Sequence, residues 1–142
     1  MALENGKRIL SLRIGSLLGL AFLATCTVPE DRPYRDAALE AARWISSSSV
    51  ETEGGRTWPG VPGDENSLNN TLYSGTPGVV LFFLEAYFAS GEERLLDEAR
   101  AGADFLLAAL PQEHSPGLYS GISGIGVALL ETYKATRVEA YK

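Results

Sequence analysis

The chain has 142 residues and a formal net charge of −6, with 18 acidic against 12 basic side chains. An acidic chain without basic clusters excludes a nucleic-acid binder that works by neutralising phosphates. Cys26 is the only cysteine, so no intrachain disulfide can form.

Lys7, Arg8 and Arg13 precede an uncharged stretch from Ile14 to Ala24 that carries Leu17, Leu18, Leu20, Phe22 and Leu23. A basic start, a short apolar run and small residues at its end form the tripartite pattern of a secretory signal peptide, and the run is short for a membrane span. This predicts a signal peptide over residues 1–25, a linker over 26–33 and a folded body over 34–142. Cys26, after Leu23-Ala24-Thr25, resembles the lipidated cysteine of a bacterial lipobox, with Thr25 where a smaller residue is usual. The expected location is therefore exported or membrane-anchored in a bacterium, and cytoplasmic if the segment is not a signal. Without residues 1–25 the charge becomes −8, from 9 basic and 17 acidic residues.

The first helical pattern runs from Asp36 to Ile45, with Ala38, Ala42 and Ile45 at helical spacing. Val50-Glu51-Thr52-Glu53 and Arg56-Thr57-Trp58 then flank Gly54-Gly55, which predicts a small β-hairpin over 50–58 turning on the two glycines. Pro59, Gly60, Pro62 and Gly63 make a turn-rich return. Asp64, Glu65, Asn66, Asn69 and Asn70 are polar enough to touch a cation but lack the ligand spacing of a calcium loop, so a solvated loop is expected.

Next comes Leu72-Tyr73-Ser74-Gly75-Thr76-Pro77-Gly78, and 46 residues later Leu118-Tyr119-Ser120-Gly121-Ile122-Ser123-Gly124. The identity continues through Leu84/Leu130, Glu85/Glu131, Tyr87/Tyr133 and Ala89/Ala135. A repeat of this period is one supersecondary unit stacked on its copy. Gly75, Gly78, Gly121 and Gly124 supply positions that take φ > 0 or admit a close backbone. Pro77 suits a first helical turn and Ser123 is the expected N-cap at the matching place. The helix predicted over 77–89 is apolar on nearly every face, as expected of one buried all round, and Gly91 ends it. From Glu92 to Leu110 the pattern is amphipathic, with Leu95, Leu96, Ala99, Ala103 and Leu106 on one side and Pro111 as the stop. Its end echoes the first helix: Ala99, Ala103, Phe105 and Leu106 against Ala38, Ala42, Trp44 and Ile45. Alternating amphipathic and apolar helices describe an all-α protein, an α/α toroid with the apolar helices inside.

A Leu-Tyr-Ser-Gly-x-x-Gly loop leading into an apolar helix, recurring at this period, resembles the lanthionine synthetase C-like family over residues 34–142. The resemblance implies a ring of seven helical hairpins, of which this chain supplies about two. It further implies peptide cyclisation: a zinc ion held by two cysteines and a histidine binds a substrate cysteine, and its thiolate adds to a dehydrated residue to give a thioether. Cys26 and His114 are the chain's only cysteine and histidine, so no residue here is carried over as a catalytic group or a metal ligand. No cofactor is expected in this chain, and a zinc belongs to the complete family only. The chain reads as a fragment or a degenerate relative, with a peptide as the implied partner. Self-association is expected, because the apolar helix over 77–89 cannot be covered by one and a half repeats.

Two other readings stay open. A carbohydrate-active toroid would need a carboxylate pair, and Glu85 and Glu131 are the charged groups inside the apolar helices. Their recurrence in register favours a structural role near the helix ends. A non-catalytic exported binding protein would keep the fold and lose the metal. Tyr73 and Tyr119 could line a cleft, and packing with a bonded hydroxyl is the expected role for a repeated tyrosine. His114, between Pro111 and Pro116, is expected at the surface.

Overall fold

Apolar residues at helical spacing bring helix α1 (Pro33–Ser47) onto the rest of the fold through Leu39 and Ala42, its two buried positions. The computed structural model describes residues 33–142. The predicted signal peptide and Cys26 lie outside the described residues, as does all of the predicted linker except Pro33. Ser47 and Ser48 donate their hydroxyls to the Trp44 carbonyl at 2.7 and 3.2 Å, closing the last turn of α1.

Strands β1 (Val50–Thr52) and β2 (Gly55–Thr57) form the predicted hairpin, antiparallel with Thr52 opposite Gly55. The turn therefore falls on Glu53-Gly54, one residue earlier than expected. Gly55 belongs to the strand because only glycine fits there: its φ is +132°, and a Cβ would collide with the Ala101 carbonyl of the helix beneath. Arg56 binds Glu51 and Glu98, tying the hairpin to that helix and holding the guanidinium above its ordinary pKa, chiefly through Glu98. Trp58 is 3% exposed and donates its indole N–H to the Ile45 carbonyl at 3.0 Å, so the return from the hairpin locks onto α1.

Three further helices complete the unit: α2 (Thr76–Ser90), α3 (Glu93–Ala109) and α4 (Ile122–Thr136). The described residues are all-α apart from one two-stranded hairpin, and reproduce part of the expected α/α toroid. Ala99, Gly102 and Ala103 line the buried face of α3 and let it approach closely. A side chain at Gly102 would run into Val80 of α2 and the ring of Trp58. Phe83, Leu95, Leu106 and Ile125 are fully buried, and each contributes about 1.5–3 kcal/mol of apolar burial.

The apolar α2 is not buried all round. Val80, Phe83 and Leu84 are covered, whereas Glu85 and Ala89 are exposed and Phe88 is 61% exposed. Its neighbours α1, α3 and α4 leave that stripe open. Ser123 is not the N-cap of α4. Gly121 is, and the Ser123 hydroxyl donates instead to the Pro116 carbonyl at 2.7 Å.

The 46-residue repeat extends further in space than in sequence. Gly91 (φ 75°) ends α2, and its equivalent Arg137 (φ 61°) ends α4, each donating its N–H at 2.7 Å to the tyrosine carbonyl four residues back. Tyr87 and Tyr133 donate their hydroxyls to Glu93 and Glu139 at 3.3 and 3.2 Å. A 3-10 turn over Glu139–Tyr141 thus stands where α3 begins, with Tyr141 in the place of Leu95.

Tyr141 is 5% exposed and donates its hydroxyl to Asp104 at 2.6 Å. Burial, then this bond to a carboxylate, raise the phenol well above its ordinary value of about 10, while Arg100 opposes slightly. The folded state therefore holds the proton more tightly than the unfolded chain. The contribution is complete below about pH 10 and is lost as pH rises through the folded value. Tyr141→Phe is expected to cost about 1–2 kcal/mol at pH 8. The gap between wild type and variant should shrink in chemical denaturation above pH 10, and a gap constant with pH would refute the assignment.

Candidate functional site

Each repeat builds its glycine loop the same way. A Cβ on Gly75 would collide with the Asn69 carbonyl, and one on Gly121 with the Ser115 carbonyl. Gly78 and Gly124 sit equally close to the carbonyls of Leu72 and Leu118. In every case the glycine meets the carbonyl six residues earlier. Gly75 has φ −123° and Gly121 φ −165°, extended values open to any residue, so close approach and not a left-handed backbone is what requires them. The same carbonyls accept the first helical N–H groups: Thr76 donates to Asn69 at 3.2 Å and Ile122 to Ser115 at 2.7 Å. The two loops are joined by Leu72 N–H donating to the Tyr119 carbonyl at 2.9 Å.

This arrangement leaves little for an anion. Pro77 has no N–H, and the Gly78 and Val79 amides point to the Gly75 carbonyl at 3.1 and 3.3 Å. The first loop is a structural cradle, not a phosphate cradle.

Beside the first loop lies a cleft of about 390 Å³, walled by Trp44 and Ile45 of α1, Pro59, Tyr73, and Val79 and Phe82 of α2. Its lining is aromatic and apolar, with Ser74 as a polar edge. Tyr73 is 89% exposed and Tyr119 67%, so these tyrosines present their rings to solvent and are not packed as expected. The glycines bring the loop backbone against the Asn69, Leu72, Ser115 and Leu118 carbonyls, and the tyrosine ahead of each stays at the surface. Trp44 was read from the sequence only as a helix position, yet at 59% exposure it forms part of the cleft.

Glu85 and Glu131 hold equivalent positions with different surroundings. Glu85 lines a second cleft of about 410 Å³ with Tyr34, Arg35, Ala38 and Phe82. Glu131 accepts from Lys134 at 2.6 Å, one turn along α4. Asp64 caps a short 3-10 turn, accepting from the Asn66 amide at 3.0 Å, and Asn69 accepts from Thr71 N–H and O–H at 3.1 and 2.7 Å. These polar groups serve the loop that carries the first cradle. Glu65, Asn66 and His114 are exposed.

The sequence signature of the lanthionine synthetase C-like protein family matches residues 66–141. That is 76 residues, more than half of the 142. The chain belongs to this family. The match spans both glycine cradles, α2, α3 and α4, the part of the fold in which the repeat is visible. No curated protein and no solved structure matches the chain.

The zinc of the lanthionine synthetase C-like family needs two thiolates and an imidazole close together. Among the described residues no three of His, Cys, Asp or Glu are grouped to hold a metal ion. His114 is the only histidine and Cys26 lies outside the described residues. One cysteine and one histidine do not make up that donor set.

Proposed function

We propose that this lanthionine synthetase C-like chain takes part in thioether formation on dehydrated peptides by holding the peptide, while the zinc and its ligands belong to residues elsewhere in the active assembly. The supporting observation is the aromatic cleft at the first glycine cradle, inside a chain of this family. Trp44, Tyr73 and Phe82 offer flat apolar surface, and the Ser74 hydroxyl, bonded to Thr71 at 3.1 Å, offers an acceptor to a peptide N–H. An acidic chain suits a peptide with basic residues. Export or membrane anchoring through residues 1–25 and Cys26 would place this activity at or beyond the cytoplasmic membrane.

The test is a titration of the full chain with a cysteine-containing dehydrated peptide, followed by tryptophan fluorescence. Binding is expected to be independent of zinc, to weaken by about tenfold in Trp44→Ala, and to yield no cyclised product from this chain alone. Elemental analysis should find no stoichiometric zinc. Thioether formation by the zinc-loaded chain, or peptide affinity unaltered in Trp44→Ala, would overturn the proposal.

A further inference from the structure

The walls of the cleft beside the first glycine cradle select among peptides. Its α1 wall is at the end of that helix remote from Pro33, since Trp44 stands about 16 Å further along it. Bonds within the chain fix the walls: the Trp58 indole donates to the Ile45 carbonyl at 3.0 Å, and Gly60 N–H to the Ser67 carbonyl at 3.2 Å. Trp44, Tyr73 and Phe82 line the cleft, with Pro59 and Pro62 beside them.

The hydrogen-bonding groups of these walls are unevenly shared. The N–H groups of Gly60, Ser74, Gly75, Gly78 and Val79 are already bonded within the chain, and Pro59 and Pro62 have none. Those of Trp44, Ile45 and Phe82 lie inside helices. A guest strand therefore finds no row of free amides to pair with. The donors left over are on side chains, the Trp44 indole N–H and the Tyr73 hydroxyl, on rings 59% and 89% exposed. A helical guest would leave them unused, because its carbonyls are bonded internally. A proline-rich segment matches them. It adopts the polyproline II form without internal bonds, each proline offers a carbonyl and no N–H, and its rings stack on aromatic side chains.

Charge narrows the guest further. The turn that carries Pro62 continues into Asp64 and Glu65, with Asp64 N–H donating to the Val61 carbonyl at 3.1 Å. Both carboxylates are exposed, and among the described residues neither is in an ion pair. Arg56 is taken by Glu51 and Glu98, and Arg43, two positions before Ile45, is on the other side of α1 from it.

We infer that the segment held in this cleft is a proline-rich stretch in the polyproline II form, flanked by a basic residue that meets Asp64 and Glu65. The inference rests on the peptide-holding role proposed above and names the part of the peptide that is held. The prolines stack on Trp44 and Tyr73, which donate to their carbonyls, and the Ser74 hydroxyl accepts the N–H of a residue between them.

The test is a calorimetric titration of the full chain with the acetylated peptide Pro-Pro-Leu-Pro-Pro-Arg. Saturable binding is expected, weakened about tenfold when alanine replaces the prolines, and to a similar extent by Tyr73→Ala in the protein. Tyr73 is 89% exposed, so that variant should keep its fold, checked by unchanged far-ultraviolet dichroism. Exchanging the terminal arginine for leucine should weaken binding about threefold in the wild type and make no difference in the double variant Asp64→Asn, Glu65→Gln. That variant retains an oxygen at position 64 for the Asn66 amide. Equal affinity for the alanine peptide, affinity unaltered in Tyr73→Ala, or no preference for arginine would overturn the inference. A dehydrated cysteine peptide without proline is the second arm. If it alone binds, and Trp44→Ala weakens it, the proline inference falls and the peptide-holding role stands. If neither peptide binds, both fall.

Discussion

Gly121→Ala is expected to destabilise the fold by about 1–3 kcal/mol, the usual cost of forcing an extra methyl into a filled site. The backbone at Gly121 is extended and suits alanine, so the whole penalty is steric: the new Cβ meets the Ser115 carbonyl that accepts the Ile122 amide. Relief requires the loop to move outward, which breaks that bond and shifts Tyr119, whose carbonyl holds the first loop through Leu72. Damage to one cradle should therefore spread to the other. Gly126→Ala, five positions further into α4, has the opposite expected sign. Nothing lies within 4 Å of its Cβ, and alanine in a helix is favoured over glycine by about 0.8–1 kcal/mol. Urea midpoints of the two variants at one protein concentration decide the matter. Equal shifts in the same direction would refute the cradle.

Phe83→Ala should have the largest effect of any single change, about 3–5 kcal/mol. Its ring is fully buried, 5.5 Å from Trp58 and 5.6 Å from Phe82 between ring centres, at the meeting point of the hairpin return and α2. The cavity left behind cannot collapse easily, since Trp58 is held by its bond to Ile45. An ordinary domain has a margin of only about 5–15 kcal/mol, so the variant should be partly unfolded at moderate temperature. Phe88→Ala is the control: at 61% exposure, it should change stability by no more than about 0.5 kcal/mol. Comparable losses from both would mean that α2 is covered on its outer stripe in solution.

Helix order and repeat period were legible because they rest on local chemistry. Pro77, Gly91 and Pro111 punctuate the helices by backbone geometry alone, and the apolar spacing of Leu95, Ala99, Ala103 and Leu106 fixes which face turns inward. The glycine loops were legible as a repeat. Their physical role was not, since φ > 0 and close approach both call for glycine, and only the carbonyls of Asn69 and Ser115 distinguish them. The hairpin turn slipped by one residue for a similar reason: Gly55 is needed by the backbone of α3, a partner far away in sequence. Exposure was the least legible property. Tyr73, Tyr119 and Trp44 carry no local mark that separates a cleft wall from a core position.

The sequence by itself determined the all-α class, the 46-residue unit and the absence of a cysteine and histidine set for a metal, because composition and periodicity are properties of the chain alone. Only the tertiary structure decided which apolar residues have neighbours. Among the described residues Val80 and Gly126 occupy the same place in the repeat, yet one is buried and the other open, because α3 packs on Val80 and no described element packs on Gly126.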